Sequence, residues 1–191
     1  MTDKKGKLLV FSAPSGSGKT TIVRTILSKY KELDFSVSAT TRKRRENETD
    51  GKDYFFISEE EFKKKIDAQE FIEWERFYDY YYGTLKSFVD DEIDSGKSVV
   101  LEVDVNGAVN IKKNYPSAVL IFIMPPSFEE LKNRLINRST ETESDLKKRI
   151  ERAEYEFTYK DKFDYVVIND KLEDAVNKVC EIIEKEINQE V

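Results

Sequence analysis

Histidine is absent from the 191 residues, and there is one cysteine, Cys180. The first absence removes Ser-His-Asp and Cys-His nucleophile arrangements, imidazole acid–base work and histidine metal ligation. The second leaves neither an internal disulfide nor a cysteine zinc site. Long apolar runs are missing too: no stretch approaches the roughly 20 apolar residues a membrane helix needs. The polar start leads into an apolar run too short for a secretory signal. The expected setting is therefore cytoplasmic and reducing, with no membrane partner. Nor is there a surplus of positive charge. Lys plus Arg number 32 against 38 Asp plus Glu, a formal net charge of −6, which argues against a nucleic-acid partner. Any anionic ligand has to be held by a local basic cluster. Any chemistry has to run on carboxylates, Lys, Arg, Tyr, hydroxyls and backbone.

What is present is the material of one folded domain. Charged residues make up 37% and aromatics 12%, with both signs mixed, so the chain reads as folded with a salt-rich surface. Apolar runs at 8–11, 99–103, 119–123 and 165–168 lack alternation. They predict strands buried on both faces of a parallel sheet. Helical patterns begin at Lys19 and cover about 85–95 and 106–114. A last one carries Leu172, Val176, Val179, Ile183 and Ile187 on one stripe. Ser58 with Glu61 and Ser127 with Glu130 read as capping boxes, and Gly96 as a helix stop. Strand–helix alternation implies a doubly wound α/β core over 7–34, 85–127 and 160–191. Two segments break the rhythm. Residues 35–84 are aromatic and strand-rich, with strands expected at 35–38, 53–57 and 70–75 and a helix near 58–67, as in a small α+β subdomain. Residues 128–159 hold two Arg-studded helical patterns joined by 139–143.

The strongest local signal is Ala13-Pro14-Ser15-Gly16-Ser17-Gly18-Lys19-Thr20, between an expected strand and an expected helix. That is the context of a phosphate-binding P-loop. Gly16 and Gly18 allow successive N–H groups to point inward as an anion nest, and the helix N-terminus adds partial positive charge. Lys19 can reach β- and γ-phosphates, and the Thr20 hydroxyl can serve Mg²⁺. Ala13 stands where the pattern usually has Gly. A plain Gly/Ser turn before a helix is the alternative. The strand expected over 99–104 ends in acids, as a P-loop site holding Mg²⁺ and its waters requires. Glu102 and Asp104, two apart, are expected to share a face. A hydroxyl-rich stretch from Ser38 runs into Arg42, Lys43, Arg44 and Arg45. In an acidic chain this reads either as an anion site, with Arg42 and Arg45 forking onto phosphate and Tyr54 and Tyr82 donating, or as a solvated basic loop.

These runs, with Gly51-Lys-Asp-Tyr-Phe-Phe56, Glu70-Phe-Ile-Glu-Trp74, Tyr81-Tyr-Gly-Thr84, Glu102-Val-Asp-Val-Asn-Gly107 and Arg138-Ser-Thr-Glu-Thr-Glu143, fall in one order along nearly the whole chain. In them the chain resembles the guanylate kinases. The resemblance implies a P-loop core, an inserted subdomain for GMP and a helical lid. It also implies transfer of a phosphoryl group from ATP to GMP with Mg²⁺. By the same likeness Arg42, Arg45, Tyr54 and Tyr82 hold the GMP phosphate, while Ser38, Glu73, Thr84 and Asp104 surround the guanine. Asp104 thus has two candidate tasks, guanine and, with Glu102 and through water, Mg²⁺. A carboxylate at Glu73 suits guanine, because it can accept from N1–H and N2–H₂ together, and hydroxyls at Ser38 and Thr84 can donate to O6. ATP would meet Ala13 to Thr20, Thr21, Arg134 and Asn169. Arg134 and Arg138 share a helix face, as do Arg149 and Arg152. Of these Arg138 and Arg149, with Lys19 and Arg42, are the expected charge stabilisers of the transfer. Two other readings stay open: a monophosphate kinase for another base, such as AMP or dTMP, and an inactive guanylate-kinase-like module that binds proteins.

Overall fold

The structure, a computed structural model, describes residues 5–77, 79–138 and 143–188, without the side chains of Phe77, Arg138 and Glu143. The expected linker at 139–143 therefore lies almost wholly outside the described residues. Five strands form a parallel sheet: β1 (Leu8–Ser12), β2 (Leu33–Phe35), β7 (Ser98–Glu102), β8 (Val119–Met124) and β9 (Tyr165–Ile168), in the order β2-β7-β1-β8-β9. Helices cover both faces because successive residues of β1 point to opposite sides. Leu9 and Phe11 pack with Ile22, Val23 and Ile26 of α1 (Lys19–Lys29) and with Val176, Val179 and Ile183 of α7 (Leu172–Asn188). Leu8 and Val10 pack instead with Val89 of α3 (Lys86–Asp94) and Ala108 and Ile111 of α4 (Val105–Asn114). β1 and β8 are buried along their whole length, as their uninterrupted apolar runs predict.

β9 departs from that expectation. Only Val167 is buried, while Val166 and Ile168 are 42% and 46% exposed. The strand ends the sheet, and one side meets solvent.

A second sheet, ordered β4-β3-β6-β5, is built from β3 (Ala39–Thr40), β4 (Phe55–Phe56), β5 (Phe71–Phe77) and β6 (Tyr80–Leu85). Here the aromatic content finds its use. Phe62 of α2 (Glu59–Asp67) stacks on Phe71 at 4.4 Å between centroids and lies 5.3 Å from Tyr81. The strand expected at 35–38 is divided. Phe35 pairs with Val100 in the parallel sheet, and pairing with the second sheet begins at Ala39. β6 was not anticipated, since Gly83 interrupts a short tyrosine run. Its six residues are held by antiparallel pairing to β5. Both expected N-caps form: Ser58 Oγ accepts from Glu61 N, and Ser127 Oγ from Glu130 N, each at 3.1 Å. The latter opens α5 (Phe128–Arg138), which with α6 (Glu143–Phe157) makes a helical pair over the P-loop side of the core.

Candidate functional site

The loop from Ala13 to Gly18 joins β1 to α1. Gly16 and Gly18 have φ of 89° and 87°, in the left-handed region where a side chain is disfavoured. No side chain caps α1, and the N–H groups of its first turn, Lys19, Thr20 and Thr21, have no carbonyl a turn behind them. These N–H groups and the two left-handed glycines are what an anion nest requires. Ala13 has no left-handed φ and packs against the core, so its methyl in place of the usual hydrogen strains nothing. Asn169, after β9, donates from Nδ2 to Ser17 O at 2.8 Å and buttresses the loop from behind. Arg134 in turn donates to Asn169 O at 3.0 Å. Together they edge a second cavity of about 430 Å³ that reaches Gly16, Gly18 and Thr21.

Across the nest stands the end of β7. Thr20 Oγ1 donates to Glu102 at 2.9 Å, Lys19 Nζ donates to Val103 O at 3.0 Å, and Lys19 Nζ lies 3.9 Å from Glu102. Asp104 does not share a strand face with Glu102. The strand stops at Glu102, and Asp104 is the N-cap of α4, accepting from Gly107 N at 2.7 Å. The cap holds its carboxylate beside Gly107, on the side of Glu73. An added Cβ on Gly107 would sit 2.9 Å from Glu73 Oε2 and 3.3 Å from Asp104 Oδ1.

Glu73 on β5 pairs in register with Thr84 on β6, whose hydroxyl donates to it at 2.9 Å. Burial, relieved in part by Thr84 and added to by Asp104, pushes the Glu73 carboxyl up to about 7. Tyr54 and Tyr82 meet edge to face at 6.1 Å. The Arg42 guanidinium lies 5.5 Å from the Tyr54 ring centre. Arg45 is exposed and does not line the cavity. Arg42 is already forked onto Glu48, at 3.0 and 2.8 Å, and Glu48 also accepts from Arg45 N at 2.9 Å. Arg42 holds the Glu48 carboxyl down at about 2, with help from the Arg45 N–H. An acid three residues past a basic cluster was the only available sign of Glu48, and charge count alone gives it no task.

The helical pair contributes more than spacing suggested. Arg149 donates to Ser15 Oγ at 3.1 Å, as expected of a residue over the loop. The side chain of Arg138 lies outside the described residues. Arg152, read from sequence only as a helix-face residue, donates to Asp104 at 2.6 Å and to Glu156 at 2.9 Å. Glu156 accepts from Ser15 N at 3.3 Å. Glu75 was also passed over, although strand alternation places it on the face of Glu73. Burial and a hydrogen bond shared with Asp104 push its carboxyl up to about 8.

Many of these side chains meet in one cavity of about 490 Å³, although Arg42, Arg45, Arg134, Arg149 and Asn169 do not line it. Residues 13–21 line one end. Ser38, Tyr54, Glu73, Tyr82 and Asp104 line the other, and Glu75, Arg152 and Glu156 lie among them. Thr84 sits behind Glu73, fully buried. A parallel sheet whose first strand feeds a phosphate nest, open to such a cavity, defines a P-loop nucleotide-binding protein. The sequence profile described as guanylate kinase matches residues 5–186. The chain is 49% identical to a guanylate kinase of Thermotoga maritima over 95% of its own length and 88% of the relative's. It is 51% identical to one of Caldanaerobacter subterraneus over 94% and 87%. The crystal structure of guanylate kinase from Anaplasma phagocytophilum superposes with a TM-score of 0.78 at 30% identity, covering 97% of this chain and 88% of that one. With that, the chain belongs to the guanylate kinase family.

Proposed function

We propose that the protein transfers the γ-phosphoryl group of ATP to GMP, giving ADP and GDP. The observation that carries this reading is the single cavity with a phosphate nest at one end and a buried carboxylate–hydroxyl pair at the other. The phosphates of ATP lie in the nest under Lys19, with Thr21, Arg134 and Asn169 on the nucleoside side. GMP lies across the second sheet. Its phosphate meets Arg42, Tyr54 and Tyr82, with Arg45 closing in from the exposed loop. Its guanine N1–H and N2–H₂ donate to Glu73 and Asp104, and Ser38 serves the O6 edge, while Thr84, expected there too, is buried behind Glu73 and spends its hydroxyl proton on that carboxylate. Adenine has no N1 donor and no 2-amino group, so it would leave Glu73 unpaired in a buried place.

A GMP phosphate oxygen attacks the γ-phosphorus in line. The new P–O bond forms as the bond to the β–γ bridging oxygen breaks, and the electron pair leaves with ADP. Both substrates are held together, so no covalent enzyme intermediate is needed. Lys19, Arg42, Arg138 and Arg149 stabilise the charge that spreads over the transferring group. The Thr20 hydroxyl beside the Glu102 carboxylate fits Mg²⁺, a hard cation that takes oxygen ligands and usually few of them from protein. Bound there, Mg²⁺ supplies neutralisation of the phosphate oxygens. Asp104 is committed to the α4 cap and Arg152 and so belongs to the guanine end. The helical pair excludes water, which would otherwise accept the phosphoryl group.

The test is ADP formation from ATP with GMP, AMP and dTMP in turn. Turnover with GMP alone is expected. Activity with AMP or dTMP in its place would replace the base assignment, and no activity with any would leave a binding module.

A further inference from the structure

Resting on that reading, we propose that Glu75 is a specificity-determining residue that takes the ribose 2′-hydroxyl of the acceptor nucleotide.

The two ends of the acceptor site are marked on one strand ladder. Glu73 stands opposite Thr84 at the base end, and Glu75 stands opposite Tyr82 at the phosphate end. Two steps along β5 carry the chain about 7 Å, the scale of the distance from a purine to the far side of its sugar. Both side chains lie on the same face, and both line the cavity. In a purine nucleotide the 2′-hydroxyl lies on the edge that carries N2 and N3. The carboxyls that read N1 and N2, Glu73 and Asp104, therefore continue along that edge into the sugar. Glu75 is the next carboxyl in that line, and it lines the same cavity as Asp104. The base accounts for Glu73 and Asp104, and the phosphate for Arg42 and the tyrosines. That leaves Glu75 with the part of the ligand that lies between them. A carboxyl oxygen there accepts from the sugar hydroxyl, and 2′-deoxyguanosine monophosphate offers nothing in its place. A polar group half withdrawn from water then stays unpaired, which is the strong form of discrimination between ligands.

The alternative is a purely architectural Glu75 that steadies Asp104 and Arg152. Binding separates the two, because an architectural role weakens GMP and dGMP alike. Calorimetric dissociation constants for GMP and dGMP are measured on the full chain and on Glu75→Ala and Glu75→Gln, with no turnover required. The wild type is expected to favour GMP by about three- to tenfold. Glu75→Ala brings the ratio close to one. Glu75→Gln, which keeps an accepting carbonyl of the same reach, retains most of it. An equal affinity of the wild type for the two ligands would overturn the proposal, as would an unchanged ratio in Glu75→Ala. A wild type that discriminates the sugars yet forms no ADP would sink the phosphotransfer reading and leave this one standing.

Discussion

Glu73 meets two opposed demands. Burial favours its protonated form and lifts the carboxyl to about 7, while the guanine-reading role proposed for it calls for the ionised form, which accepts twice. GMP affinity is therefore expected to rise as pH rises through about 7. Titration calorimetry across that range, with Glu73→Gln as the reference that keeps only ionisation of the GMP phosphate, isolates this rise. Stability runs the other way. Between the ordinary value of 4.5 and about 7 the folded chain holds a proton that the unfolded chain has released, so stability falls with rising pH across that window. Glu73→Gln should flatten the fall in melting temperature while shrinking the preference for GMP over AMP. Lys19→Ala is expected to lower turnover by orders of magnitude, on the order of 10²-fold or more, with GMP binding nearly intact; near-normal turnover would remove Lys19 from the transfer. Glu73 was legible in the sequence through the chain's likeness to a family. Glu75, two residues on, was equally legible from strand alternation but had no partner until Asp104 was seen beside it.

At the scale of elements, the first turns of two helices do different work. α1 begins at bare glycine and leaves its N–H groups to a ligand, whereas α4 begins at Asp104 and uses its cap to orient an acid. Gly107 sits where α4 passes Glu73, and a methyl there meets Glu73 Oε2 at 2.9 Å. Gly107→Ala is expected to raise KM for GMP by on the order of tenfold or more with little change in KM for ATP, read by steady-state kinetics with each substrate varied. An equal rise in both would mean general loosening of the core. The element boundary is what sequence reading missed here. The run 99–104 looks like one strand because its apolar and acidic residues continue smoothly. The helix cap that ends it at Glu102 depends on an N–H supplied three residues beyond Asp104, by Gly107.

At the scale of the molecule, α6 and the turn that follows it are tied to both ends of the cavity. Arg152 reaches Asp104, Glu156 reaches the Ser15 N–H, and the hydroxyls of Tyr155 and Tyr159 reach Asn106 at 3.1 and 2.9 Å. Removing Arg152 leaves the acids Asp104 and Glu156 without the cation that bridges them. Arg152→Ala should therefore speed amide exchange in α6 while β1 and β8 stay protected, as hydrogen-exchange mass spectrometry would record; uniform acceleration would mean loss of global stability instead. Sequence alone determined the α/β class, the nest and the sites of basic charge. Each is written locally, in unbroken apolar runs, in glycines before a helix and in arginines at helical spacing. It also excluded histidine and disulfide chemistry outright. Tertiary structure decided which acid stands at which end of the cavity. It also assigned Arg42 to Glu48 and drew Arg152, Glu156 and Glu75 into the site. Those outcomes depend on side chains brought together from distant parts of the chain, and a linear pattern of charges does not encode which of several carboxylates a given arginine will face.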